Sequence, residues 1–158
     1  MKRETERGNG LIVVGVDSSD GAKEALRFAI KEAKLRQAAL RVVHSWQYGY
    51  IGTAGLEGLA PVVGADRDDL QHTAEIVLDA TVQEVVPNAN GIEIDRRVVE
   101  GTPASVLVEE SRYADLLVVG SRGHGGFAGL LLGSVSQQCA HHAACPVVIV
   151  RASSAKQG

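Results

Sequence analysis

The spacing of apolar residues changes several times along the chain, and each change predicts a new element. Residues 11–16 form a continuous apolar run rich in β-branched side chains, which is typical of a central parallel strand covered on both faces. Apolar residues then recur at intervals of three and four between 22 and 33, behind polar residues at 18–20 that suit a helix cap. Residues 11–33 therefore predict a strand followed by an amphipathic helix.

The same alternation continues to the end of the chain. It predicts a strand at 40–46, a helix at 66–85, a strand at 92–98, a helix opened by Thr102 and Pro103, a strand at 116–119, a helix at 134–143 and a last strand at 147–150. Residues 92–98 alternate apolar and charged side chains, which suits a strand at the edge of a sheet. Alternating strands and helices predict an α/β fold with right-handed crossovers and one mostly parallel sheet.

The length of 158 residues predicts one domain with its own core. We expect this domain to occupy residues 11–151, between flexible tails at 1–10 and 152–158. Within it, residues 47–65 contain five glycines and no apolar period. This composition predicts a long mobile loop.

Charge and cysteine content exclude several functional classes. A formal net charge of −3 does not suggest a surface for nucleic acid or an anionic membrane, because both need clustered Lys and Arg. The first apolar run is too short for a secretory signal, and no stretch approaches a membrane span, so we expect a cytoplasmic protein.

Cys139 and Cys145 predict two buried thiols. Cys139 and His142 share a helical face, but the spacing matches no strong zinc pattern, so no metal site is assigned.

A glycine-rich segment, residues 120–134, follows the fourth predicted strand. Its glycines would let backbone N–H groups approach an anion, and a helix beginning at Gly133 and Ser134 would aim further N–H donors at that anion. After Asp115 the chain has no acidic residue but retains basic ones. This local charge favours a polyanionic ligand such as triphosphate. It also favours phosphate as the partner of Arg122. On spacing alone, a glycine-rich surface loop capped by a serine remains an equal alternative.

Two familiar nucleotide motifs do not account for this segment. No glycine precedes Lys-Ser or Lys-Thr, so there is no Walker A loop. Residues 123–128 formally match the dinucleotide pattern G-x-G-x-x-A, but they follow the fourth strand and no acidic residue stands about 20 positions later to hold a ribose. A Rossmann dehydrogenase is therefore not favoured.

The run Gly120-x2-Gly123-x9-Gly133-Ser134 resembles the ATP-binding signature of the universal stress protein family. Residues 13–19, 43–45, 101–104 and 145–150 also resemble segments of that family, so the resemblance covers nearly the whole chain. It implies a Rossmann-like fold, similar to that of adenine nucleotide alpha hydrolases. The expected architecture is a five-stranded parallel sheet in the order 3-2-1-4-5 with helices on both faces.

The resemblance also implies an ATP site. Carried over position by position, it places Asp17 near the ribose or adenine and Gly101 beside the sugar. Backbone atoms of His44 and Ser45 would lie against the adenine edge. The residues implied around the phosphates are Gly120, Gly123, Gly133, Ser134 and the N–H of Val135. Many relatives have glycine where this chain has Ser18. From the residues alone, Asp17 is as well suited to capping the first helix as to binding a ligand, and the resemblance favours the ligand role.

These observations predict an ATP-binding regulator of the stress response without assigned catalytic residues. Mg²⁺ or Mn²⁺ is left open as the ion accompanying ATP. We expect a homodimer paired through the apolar edge strand Val147–Val150, as is common in the family, and an unidentified regulatory protein partner. The rival hypotheses are a slow ATP hydrolase using Arg122 and Asp17, and an interaction dimer that functions without nucleotide.

Overall fold

A computed structural model describes residues 10–48, 66–87, 91–122 and 132–152. Residues 49–65 of the predicted loop, Gly123 and most of both predicted tails lie outside the described residues. Within the described residues the chain forms strands β1 (Leu11–Gly15), β2 (Ala39–Trp46), β3 (Ile94–Glu100), β4 (Leu116–Gly120) and β5 (Val147–Val150), and helices α1 (Asp20–Arg36), α2 (Arg67–Val85), α3 (Pro103–Ser111) and α4 (Ser134–His142).

The five strands form one parallel sheet in the order β3-β2-β1-β4-β5, which confirms the predicted topology. β3 begins and ends two residues later than its sequence pattern predicted, because its pairing with β2 runs from Ile94 beside Leu40 to Glu100 beside Trp46. Strand order reverses between the neighbouring strands β1 and β4, which is the topological switch point of the sheet. In parallel sheets of this kind, ligands bind at such a point, beyond the carboxyl ends of the strands.

Helices cover both faces of the sheet. Ile12 and Val14 of β1 pack with residues of α1 and α2, whereas Val13 packs with Leu107 of α3 and Cys139 of α4. Side chains alternate between the two faces of a strand, so β1 is apolar throughout only because both of its faces are covered. The helix layers thus explain the continuous apolar run at the beginning of the domain.

Three of the four helices in the described part of the chain begin with a side-chain cap. Ser19 accepts a hydrogen bond from the N–H of Ala22 in α1, Asp66 caps α2 in the same way, and Thr102 caps α3. A side-chain cap of this type stabilises a helix by about 1 kcal/mol. Within the described residues α4 differs, because its N-cap residue is Gly133 and no side chain caps it. None of the described helices combines the length and apolar character needed to cross a membrane.

Both cysteines are free thiols, but only Cys139 is fully buried. Cys145 is partly exposed, so the expectation of two buried thiols was wrong for this residue. It lies just before the edge strand β5, which has a neighbouring strand on one side only. Burial, with a smaller contribution from Cys145, raises the pKa of Cys139 to about 11. Burial and then the charge of Asp115 raise the pKa of Cys145 above its usual value, against a lowering contribution from the backbone N–H of Leu117.

These pKa values predict that the native thiols react slowly with iodoacetamide at pH 8, because only the thiolate is nucleophilic. We expect Cys145 to be alkylated first and Cys139 only after unfolding in guanidinium chloride, as followed by mass spectrometry. Because the folded pKa of Cys139 exceeds its unfolded value of 9.0, this thiol favours the folded state at low pH, and that contribution is lost as pH rises from about 9 towards 11. Equal labelling rates in the native and unfolded protein would contradict the buried position of Cys139.

Candidate functional site

A cavity of about 250 Å³ opens at the carboxyl ends of β1 and β4, where the strand order reverses. The ends of three strands, the turn after β1 and the first turns of α1, α3 and α4 form its walls. Its lining residues are Gly15, Val16, Asp17, Ser19, Ala22, Val43, His44, Ser45, Pro103, Val106, Leu107, Val119, Gly120, Ser121, Arg122, Gly133, Ser134, Val135 and Ser136. The cavity thus occupies the position where the fold predicts a ligand.

One side of the cavity is apolar. Val43, Val119, Val106 and Leu107 line it and belong to the core layer between the sheet and helices α3 and α4. Gly15 leaves room for this wall, since a Cβ at that position would lie 2.6 Å from Leu107 Cδ1. A surface of this kind suits an apolar ring system such as a nucleotide base.

The turn between β1 and α1 forms a polar wall. Asp17 Oδ1 accepts hydrogen bonds from the backbone N–H of Ser19 at 3.0 Å and from Ser19 Oγ at 2.5 Å, while Ser19 Oγ accepts from Ala22 N at 3.2 Å. Ser19 is therefore the helix cap, and Asp17 holds that cap in place while also lining the cavity. Ser18 between them has φ +70°, a conformation that favours glycine.

The opposite end of the cavity is formed by the two ends of the glycine-rich segment. The N–H of Gly133 donates to the carbonyl of Ser121 at 2.7 Å, and Ser136 Oγ donates to the same carbonyl at 3.0 Å. These bonds hold the N-terminus of α4 next to the end of β4. Residues 133–136 line the cavity, and among the described residues no side chain caps α4. Its first N–H groups and its dipole therefore favour an anion there.

Eight of the ten residues predicted for the ATP site line this cavity: Asp17, His44, Ser45, Gly120, Arg122, Gly133, Ser134 and Val135. Gly123 lies outside the described residues. Gly101 is not among the lining residues. It follows β3 with φ +145°, donates its N–H to the carbonyl of Trp46 at 2.8 Å and lies behind Val106, whose Cγ2 would be 2.9 Å from an added Cβ.

The imidazole of His44 ties two strand ends together. Its Nδ1 lies 2.8 Å from the carbonyl oxygen of Val16. Since a carbonyl only accepts hydrogen bonds, Nδ1 carries the proton and donates it. The side chain of His44 therefore helps to fix the end of β2 against the end of β1, next to the apolar wall.

Sequence reasoning missed several residues of the cavity. Val106 and Leu107 were not assigned to it, although they lie in the first turns of the helix that follows β3 and such turns face the carboxyl edge of the sheet. Ser121 and Ser136, both buried, were also missed. Their hydrogen bond connects positions 15 residues apart, a contact that leaves no periodic signal in the sequence.

Comparison with known proteins places the chain among proteins of similar sequence. The profile of the Universal stress protein family matches residues 9–151. A universal stress protein of Mycobacterium tuberculosis is 38% identical over 145 residues, which cover 90% of this chain and 45% of that protein. One from Bacillus subtilis is 29% identical over 146 residues, covering 89% of this chain and 97% of the relative. The chain thus spans slightly less than half the length of the mycobacterial relatives that it matches.

Solved structures agree in fold and coverage. The universal stress protein UspA from Lactobacillus plantarum has a TM-score of 0.72 at 25% identity, with 90% of this chain and 98% of that chain covered. A universal stress protein in complex with cAMP has a TM-score of 0.64 at 28% identity, covering 90% and 96%. One from Archaeoglobus fulgidus in complex with dAMP has a TM-score of 0.60 at 27% identity, covering 88% and 95%. With its cavity at the switch point of a sheet ordered 3-2-1-4-5, this chain belongs to the universal stress protein family.

Proposed function

We propose that this chain binds ATP in the cavity and acts as a nucleotide-responsive regulator in the stress response. One observation supports this most strongly: an apolar wall and a helix N-terminus that no described side chain caps face the same cavity. The first suits a base and the second suits phosphate. Related proteins solved with cAMP and dAMP show that members of the family accept adenine nucleotides.

In the proposed complex, the adenine lies on the apolar wall beside the backbone of His44 and Ser45. The ribose lies near Asp17, and Gly101 shapes this region from behind Val106. The phosphates extend towards α4, whose dipole stabilises an adjacent anion by about 0.3–1 kcal/mol in exposed settings. The proposed phosphate contacts are Gly120, Arg122, Gly123, Gly133, Ser134 and the N–H of Val135.

Among the described residues, no group of three or more His, Cys, Asp or Glu side chains is arranged to hold a metal ion. Mg²⁺ or Mn²⁺ accompanying ATP would therefore take its ligands mainly from phosphate oxygens and water, as Mg²⁺ commonly does. We propose no residue of this chain as a dedicated metal ligand.

We propose binding rather than turnover as the function. Hydrolysis needs a positioned water and stabilisation of the charge that develops on the phosphates. Of the two candidate groups, Asp17 already accepts two hydrogen bonds from Ser19. The nucleotide instead changes how the protein, acting in the cytoplasm as a dimer paired through β5, engages an unidentified protein partner.

ATP is expected to bind more tightly than AMP or adenosine, because the N-terminus of α4 and the glycine-rich segment mainly contact the distal phosphates. Isothermal titration calorimetry with each ligand measures the difference, and mass spectrometry of the gently purified protein identifies any nucleotide that co-purifies. Equal affinities for ATP, ADP and adenosine would remove the proposed role of Gly133 and Ser134. A protein that binds none of them would leave the nucleotide-independent dimer as the better hypothesis.

A further inference from the structure

Gly21, in the first turn of α1, lies in direct backbone contact with the end of β4. A Cβ at Gly21 would stand 2.7 Å from the carbonyl oxygen of Arg122. From the other side, a Cβ at Gly120 would stand 2.9 Å from the carbonyl oxygen of Gly21 and 3.0 Å from its carbonyl carbon. The two segments therefore approach each other at a distance that only two glycines allow.

Space, and not backbone conformation, requires glycine at position 21. Gly21 is helical and buried, and it is not among the residues with positive φ. Glycine in a helix is less favourable than alanine by roughly 0.5–1 kcal/mol, so helix propensity favours alanine at this position. The atom that excludes a side chain is a backbone oxygen, which cannot swing aside as the end of a flexible side chain can.

This contact joins the two halves of the cavity. On one side, Gly21 belongs to the turn of helix that Ser19 caps and that Asp17 supports. On the other, Arg122 directly follows Ser121, whose carbonyl accepts the N–H of Gly133 at 2.7 Å. A displacement of Arg122 would therefore also act on the N-terminus of α4.

We infer that Gly21 is a positioning residue of the nucleotide site. Its missing side chain lets α1 approach the end of β4 closely enough for Asp17, Arg122 and the N-terminus of α4 to line one cavity. This inference rests on the proposed function and adds to it a residue that lies outside the cavity lining. A side chain at position 21 separates the phosphate end of the site from the ribose end and leaves the apolar wall in place.

The test is Gly21→Ala, titrated with ATP and with adenosine. We expect affinity for ATP to fall by about fivefold or more, while affinity for adenosine stays within about twofold of the parent. Gly91→Ala is the matched control. Gly91 has φ +89° and no atom within 4 Å of an added Cβ, so alanine strains the backbone there without crowding anything. It precedes β3 at the amino end of the sheet and should lower stability while leaving both affinities unchanged.

The outcomes separate this inference from the proposed function. A parent protein that binds neither ligand overturns both. Two results would overturn the inference alone, in a parent protein that binds ATP. In one, the Gly21→Ala variant binds ATP as tightly as the parent. In the other, its affinities for ATP and for adenosine fall by the same factor. Should Gly21→Ala fail to fold, both titrations are repeated with the substitution placed in Ser18→Gly protein. Relief of the left-handed Ser18 stabilises that background, which also serves as the parent for comparison.

Discussion

Replacing Gly123 and Gly133 together with valine is expected to leave a folded protein that binds ATP at least about tenfold more weakly, a loss of about 1.4 kcal/mol. Gly133 has φ −75°, which valine adopts without backbone strain, so the loss would come from a branched side chain at the position where phosphate approaches. Gly123 lies outside the described residues and its part in this prediction rests on the sequence. Calorimetry measures the affinity.

Two controls accompany the double variant. Gly133 is buried, so circular dichroism and thermal unfolding are needed to separate lost binding from lost stability. Ser134→Ala should weaken binding less, because it removes one hydroxyl donor and leaves the backbone N–H groups of α4 in place. A folded double variant with the affinity of the parent would show that phosphate binds elsewhere, and the proposed function would then be wrong.

The fold was predictable because each element carries a strong local signal. The apolar run of β1 predicted a strand covered on both faces, and alternation of apolar and charged residues predicted that β3 lies at an edge. Caps also have a local signature, as Thr102 followed by Pro103 shows at the start of α3. The order of the strands came from the family resemblance, since hydrophobic periodicity does not specify which strands are neighbours.

The candidate site was predictable only in part. A motif identifies residues that follow one another in the chain, and it therefore found the glycines and Asp17. It did not find Val106 and Leu107, whose place in the cavity depends on how α3 lies across the sheet. Nor does it show that Gly21 meets Arg122, because a contact between two backbones about 100 residues apart has no side-chain pattern. The one available signal was a glycine in the first turn of an otherwise regular amphipathic helix.

The proposed dimer depends on the outer edge of β5. Leu117 N–H donates to the carbonyl of Pro146, and Ser121 N–H donates to the carbonyl of Val150. In a parallel strand, alternate residues direct their backbone groups to the same side, so the N–H and carbonyl of Ile149 point away from β4. The side chain of Val148 packs against the core layer beneath α1, and a lysine there would disturb that layer as well as the edge.

Ile149→Pro is therefore expected to convert the dimer to a monomer with the β4–β5 pairing retained. Proline removes the outward N–H that a second copy of β5 would need, and edge strands tolerate proline where the lost N–H does not face the neighbouring strand. Ile149→Ala is the matched control, because it trims the side chain and keeps the N–H. Light scattering measures the mass of each variant. A dimeric Ile149→Pro protein would contradict backbone pairing through β5, because the interface would then lie elsewhere. An Ile149→Ala protein that is equally monomeric would also contradict it, because the interface would then depend on the side chain alone.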